Sequence, residues 1–255
     1  MTANTQTQTV DRCKSQLISA SKDYNRAISL NPDNAEAYYK LGRVYEDLGR
    51  RKVAVGKYEI AVGYTTLQDD YALDAFNLLI DNAARSRASA QAQSWLDECQ
   101  DRFAQKSSLK NECRLEWVAE AYLQEKKYTE TSALLLANRS QDNSFSQFGK
   151  ERHYRLLIYL GRAFLEQKSP AAAQAPFERA IKLQNDRGIA HCFLAQTLEQ
   201  RGEMEPTSSL NGGRAAERVI REWEQCIAYS SLWNPDEAYW LGVAQQRLAA
   251  QGEQK

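Results

Sequence analysis

Glycine and proline are scarce, 12 and 5 of 255 residues. That excludes a loop-rich fold and favours an all-α chain. Excess charge of either sign is missing, because 33 basic and 33 acidic residues cancel. Nucleic-acid binding favours a clearly basic face, so the balance argues against that partner. No stretch is long or apolar enough to span a bilayer, so no membrane partner is expected. Residues 1–10 (MTANTQTQTV) lack the basic start and apolar core of a secretory signal. They are polar and expected to be disordered, and residues 251–255 are read as a tail. A cytoplasmic location is the expectation.

What is present is a repeat. Residues 35–68 (AEAYYKLGRVYEDLGRRKVAVGKYEIAVGYTTLQ) align with residues 154–187 (YRLLIYLGRAFLEQKSPAAAQAPFERAIKLQNDR) on Leu41-Gly42 and Leu160-Gly161. Tyr45 then matches Phe164, Ala54 matches Ala173, Tyr58 matches Phe177, and Ala61 matches Ala180. A period near 34 residues, with small residues at fixed offsets, predicts stacked helical hairpins. Weaker copies follow in the same register. Residues 73–106 carry Phe76, Leu79, Ala83, Ala92, Leu96 and Cys99, with Ile80 where the glycine would stand. Residues 112–145 carry Leu115, Val118, Ala119, Tyr122, Thr131 and Leu135. Residues 188–234 carry His191, Leu194, Ala195 and Leu198, then a delayed second helix with Val219, Trp223 and Cys226. A half unit (14–34) precedes and a final helix (235–250) closes one repeat domain over 11–250. Arg139–Lys150 and Glu205–Gly213 have loop composition. Asn31-Pro32-Asp33-Asn34, Ser169-Pro170 and Asn234-Pro235 read as helix starts, and Pro176 should kink or delay its helix.

Leu41-Gly42, Tyr45, Ala54, Tyr58 and Ala61 resemble the tetratricopeptide repeat family. The resemblance implies a right-handed superhelical solenoid of antiparallel helix pairs, about six units plus a C-terminal helix. In such pairs the first helix, A, turns toward a concave groove and the second, B, lies behind it. Gly42, Ala54 and Ala61 stand where helices approach closely. Thr66 departs from the family's closing proline. The last third is also similar, loosely, to bacterial arrays attached to signalling ATPases and caspase-like proteases.

Catalysis finds no support in the residues. There are two histidines, and His191 falls in a packing slot. No serine or cysteine sits in a nucleophile-elbow sequence, and no glycine-rich loop follows a strand. The chain is read as a non-enzyme without cofactor. Five cysteines form no CxxC pair. Cys99 and Cys226 fall in slots that want a small apolar residue, so the cysteines read as buried, reduced thiols. His191 and Cys192, adjacent on a helix, point about 100° apart and would chelate a metal poorly.

The family register places candidate binding residues on the concave side of each helix A. Tyr39, Lys40, Arg43 and Glu46 come from the first full unit, and Trp117 and Glu120 from the unit at 112–145. Arg155, Tyr159 and Arg162 follow, then Phe193 and Gln196, then Tyr239 and Trp240 from the final helix. Aromatics interleaved with arginine suit a protein or peptide partner, and Arg43, Arg162, Lys40 and Arg155 favour an acidic one. The carboxylate clamp of chaperone-binding members is absent, since Tyr39, Arg43 and Asp81 stand at its positions. The expected function is a scaffold or adaptor that holds a peptide or partner protein. The alternatives are a regulatory subunit acting on an effector enzyme in trans, and a single-stranded RNA-binding repeat. Ends that leave Ile18, Tyr239 and Trp240 uncovered suggest self-association.

Overall fold

A computed structural model describes residues 3–66, 71–140, 145–202, 210–233 and 235–252. Every regular element among them is a helix. The chain divides into two compact units, Met1–Ala121 and Tyr122–Lys255.

The first unit contains α1 (Ala3–Leu30), α2 (Ala35–Asp47), α3 (Arg51–Tyr64), α4 (Ala72–Arg85), α5 (Ser89–Arg102), the single turn α6 (Ser107–Lys110) and the start of α7 (Leu115–Gln124). Asn34 caps α2, its side chain accepting the Ala37 amide at 3.0 Å, which satisfies one of the orphan donors of the first turn. A Cβ on Gly42 would lie 2.4 Å from the Tyr58 ring. The glycine therefore lets α3 press its tyrosine onto the backbone of α2. Tyr58 is fully buried, and its hydroxyl donates to Glu46 at 2.9 Å. Tyr38 stacks on Tyr64 at 6.3 Å. Position 38 thus faces 64 and 42 faces 58, so the pair is antiparallel. In the next pair Ile80 is buried in the glycine's place, and Phe76, Leu79, Ala92, Leu96 and Cys99 fill the contact.

The second unit contains the rest of α7, then α8 (Tyr128–Ala137), a 3-10 turn (Ser146–Phe148), α9 (Lys150–Glu166), α10 (Pro170–Leu183), α11 (Gly188–Gln200), α12 (Leu210–Tyr229) and α13 (Pro235–Gly252). The close approach recurs, with a Gly161 Cβ 2.4 Å from the Phe177 ring. Gly188 lies against the backbone of Ser230, with 2.7 Å between its would-be Cβ and the amide nitrogen. Val219, Trp223 and Cys226 are fully buried on α12.

A left-handed residue recurs in the turn of each hairpin: Gly49, Arg87, Lys126, Lys168 and Gly202, with φ between 54° and 77°. Each stands at the same offset from its helix A. The repeat dictates that backbone bend whether or not the residue is glycine, at a cost of roughly 1–2 kcal/mol for each arginine or lysine.

Several expectations are corrected. Residues 3–10 are helical, not disordered. Neither glycine nor proline occurs before Pro32, so nothing interrupts α1 once its later turns pack on α2. Arg139–Lys150 is not wholly a surface loop, because Phe145 and Phe148 are buried and face one another at 6.3 Å. Of Glu205–Gly213, residues 210–213 open α12, while 205–209 lie outside the described residues. Glycines there cost little hydrogen bonding, since first-turn amides have no intrahelical acceptor. Pro176 neither ends nor delays α10, which runs through it. Pro32 precedes the cap of α2 rather than entering its first turn. The reduced-thiol reading fails for four cysteines: Cys99 is bonded to Cys113 and Cys192 to Cys226. Proximity across packed helices, 14 and 34 residues apart in sequence, made these pairs. Cys13 alone is free, and it is exposed rather than buried.

Candidate functional site

In the first unit, α2 and α4 lie side by side through one polar knot. The Tyr39 hydroxyl donates to Asp74 at 2.5 Å, and the Arg43 guanidinium donates to the same carboxylate at 3.3 Å. Tyr39 stacks on Tyr71 at 5.3 Å, and Lys40 reaches over the Tyr39 ring at 5.7 Å. Glu46 is engaged by Tyr58. Further on, Trp117 lies half-buried under the Arg114 guanidinium, 5.3 Å from its ring centre. Glu120 is half-buried within electrostatic reach of Arg85. Arg43 and Asp74 are each about half exposed, so their ion pair adds little stability.

Burial, then the hydrogen bond to Asp74, push the Tyr39 hydroxyl up to about 12. Burial raises Tyr58 and Tyr154 as well. In each case the fold holds the neutral phenol. The stability so gained is complete below the ordinary tyrosine value near 10 and is lost as pH climbs through the raised folded value. Melting temperature is therefore expected to fall between about pH 10 and 12. Absorbance at 295 nm should show a late-titrating class of tyrosines that loses one member in Tyr39→Phe; an unchanged late class would refute the assignment.

In the second unit α9, α11 and α13 stand next to one another. An aromatic file runs from α10 across α11 to α13. Phe177 stacks on Phe193 at 5.4 Å, Phe193 meets the edge of Trp240 at 4.8 Å, and Tyr239 packs edge-on to Trp240 at 5.4 Å. The Arg162 guanidinium lies over Phe193, 5.6 Å from the ring centre. Residues of α9, α11 and α13 also line a cavity of about 140 Å³, formed by Glu151, Tyr154, Arg155, Ile158, Arg187, Ile189 and Glu237. Arg187 covers the Tyr154 ring at 4.9 Å and pairs with Glu151 at 3.3 Å. Arg155 reaches Glu151 at 3.9 Å. Glu237 is buried and accepts the Ser231 amide at 2.9 Å.

Among the residues singled out from sequence, Tyr39, Tyr159 and Phe193 are buried. Trp117, Glu120, Arg162, Gln196 and Trp240 are half-buried. Lys40 and Arg43 are exposed, and Tyr239 is 67% exposed. Each unit gathers its own set. Asp74, Glu151 and Arg187 were not anticipated. Asp74 was legible, since it holds in its unit the slot that Glu36 holds in the first. Glu151 precedes the repeat and Arg187 is its last residue, and neither carries such a signal. His191 offers no free nitrogen, as Nδ1 meets Glu222 at 2.7 Å and Nε2 meets the Asn185 carbonyl at 3.2 Å. Among the described residues no helix is long and apolar enough to cross a membrane.

A TPR repeat family model matches residues 14–49, in the first unit. A tetratricopeptide repeat model matches residues 147–205, in the second. No curated protein matches the sequence. Among solved structures, the C-terminal part of a TPR repeat-containing protein from Cytophaga hutchinsonii is similar, with 12% identity and a TM-score of 0.59. The match covers 95% of this chain and 94% of that one. Yeast Tom70 is similar at 14% identity and a TM-score of 0.55, over 91% of this chain and 43% of Tom70. Cut9–Hcn1, a hetero-tetramer of APC/C, gives 14% identity and a TM-score of 0.49, over 91% and 40%. The chain thus spans less than half the matched chain in these last two. At such identities the likeness is one of fold. Residues 14–49 and 147–205, one stretch in each unit, are thus matched as tetratricopeptide repeats, and each holds a glycine pressed against an aromatic ring.

Proposed function

We propose that the chain is a non-catalytic interaction scaffold, and that the α9–α11–α13 face holds an acidic segment of a partner protein. One observation carries this reading. Arg162 is half-buried on an aromatic file, and no carboxylate pairs with it among the described residues. A cation held over a ring and outside any direct ion pair, with Glu166 near but not in contact, is suited to a partner's carboxylate, and arginine and aromatic anchors dominate binding energetics. The face in the first unit is a weaker candidate, because Tyr39 and Arg43 already spend their donors on Asp74. Arg43→Glu would set two carboxylates against each other and disturb the unit, so it makes a poor control.

The test is affinity capture from native extract with wild type and Arg162→Glu, read by mass spectrometry, with the captured partner then titrated. A loss of tenfold or more in affinity, about 1.4 kcal/mol, with an unchanged melting temperature, is expected. Equal affinity would remove the face from consideration. A regulatory subunit acting in trans is favoured by a different feature. Trp233, Leu232 and Tyr239 are 97%, 73% and 67% exposed around the α12–α13 corner, which suits an enzyme docking over that end. In that case the partner's affinity would follow Trp233 and not Arg162.

A further inference from the structure

We infer that Cys99, Cys113, Cys192 and Cys226 are sites of oxidative maturation, and that the native chain carries two disulfides installed by a thiol-oxidising partner. The pattern of slots points to this. In the two regular hairpins one helix-B slot is filled by alanine, Ala61 and Ala180, both fully buried. In the hairpin at 73–106 and in the one at 188–234 the same slot holds Cys99 and Cys226, and both are bridged. A bridge thus replaces alanine twice, at one structural position, in two separate units.

Both bridges sit where the repeat is irregular. After α5 the chain lacks a full helix until α7, with only the turn α6 between them. Cys113 lies in that connection, and its bond to Cys99 ties the connection to α5. Asn77 fastens the same stretch, donating to the Glu112 carbonyl at 3.2 Å and accepting the Arg114 amide at 3.0 Å. In the other case the turn after α11 is extended, and α12 resumes only at Leu210. The Cys192–Cys226 bond joins α11 to α12 directly across that extension. Closing a chain segment of this kind removes conformational freedom from the unfolded state. The α2–α3 and α9–α10 hairpins, neither followed by an irregular connection nor split by an extended turn, carry alanine in that slot instead.

All four sulfurs belong to fully buried residues, so the bonds form before the helices close over them. For each bridge two thiols lose two protons and two electrons, and a sulfur–sulfur bond forms. The acceptor is the disulfide of an oxidised dithiol carrier, which passes through a mixed disulfide and leaves as a dithiol. Two carrier disulfides are consumed per chain. Such bonds persist in an oxidising compartment. That setting differs from the cytoplasmic expectation, which was drawn from the lack of a signal-like start and not from the cysteines.

The experiment is thiol trapping on the protein isolated from the cells that make it, quenched in acid and alkylated in denaturant without reductant. Intact mass should show one alkyl group, on Cys13, and five after reduction. Peptide mapping should return Cys99 linked to Cys113 and Cys192 linked to Cys226. Five alkyl groups without reductant, or any linkage that uses Cys13, would overturn the inference. As a second readout, reduction should lower the melting temperature by about 10 °C or more. In Cys192→Ala/Cys226→Ala, alanine fits the slot as it does at Ala180, and the share of that drop owed to the second bridge should disappear.

Discussion

Gly42→Leu is expected to lower the melting temperature by roughly 10 °C, a cost of about 3 kcal/mol. The Cβ alone would stand 2.4 Å and 2.7 Å from two carbons of the Tyr58 ring. That ring is fully buried and tethered through its hydroxyl to Glu46, so it can yield only by separating α2 from α3. Overpacking of this kind is not relieved by a rotamer change, because the obstacle is the neighbour's ring and not the new side chain's reach. The control lies in the same hairpin. Nothing stands within 4 Å of a Cβ on Gly63, so Gly63→Ala should be neutral or stabilise α3 by up to about 1 kcal/mol. Thermal unfolding of the two variants separates steric cost from helix propensity. Gly42→Leu melting with the wild type would contradict the hairpin register.

Trp223→Ala should cost about 3–5 kcal/mol, the range for deleting a buried aromatic. Trp223 is fully buried on α12. Its indole N–H donates to Glu199 on α11 at 2.8 Å, and its ring stacks 6.5 Å from Trp240 on α13. One side chain therefore joins three helices. Deletion leaves a cavity and strips Glu199 of its neutral donor, with only Arg247 at 3.7 Å remaining. Trp223→Phe keeps most of the volume and loses the hydrogen bond, so about 1–3 kcal/mol is expected from the stranded carboxylate. Denaturant midpoints at constant m-value rank the three proteins. An alanine cost below about 1 kcal/mol would mean that α12 does not seat on α11 as described. Phe193 and Trp240 belong to the same file, so the variant also serves as a structural control for partner capture.

Much of the hairpin packing was readable because its determinants are local. A glycine and the ring that covers it lie 16 residues apart at one spacing, and alanines stand at the other close approaches. The left-handed turn position was not readable, because only Gly49 and Gly202 announce it, while Arg87, Lys126 and Lys168 adopt the same bend under tertiary constraint. Phe145 and Phe148 sat in a polar stretch without periodicity, and burial came from packing against His153 and Arg152 rather than from pattern. For the candidate site, the arginines and aromatics were named from the register, but their availability was not. Tyr39 and Phe193 proved buried, Arg43 was already taken by Asp74, and Arg162 was left unpaired among the described residues.

The repeat's core helices, their pairing into hairpins and the slots where small residues must stand were written in the local pattern of the chain. Those depend on helical periodicity and on steric fit between segments joined by short turns. Tertiary packing was needed to say which cysteines join, that Arg162 alone of the candidate arginines makes no ion pair among the described residues, and which of Trp223 and Trp233 is core and which is surface. Each of these depends on what a distant helix places opposite, and no local period encodes that.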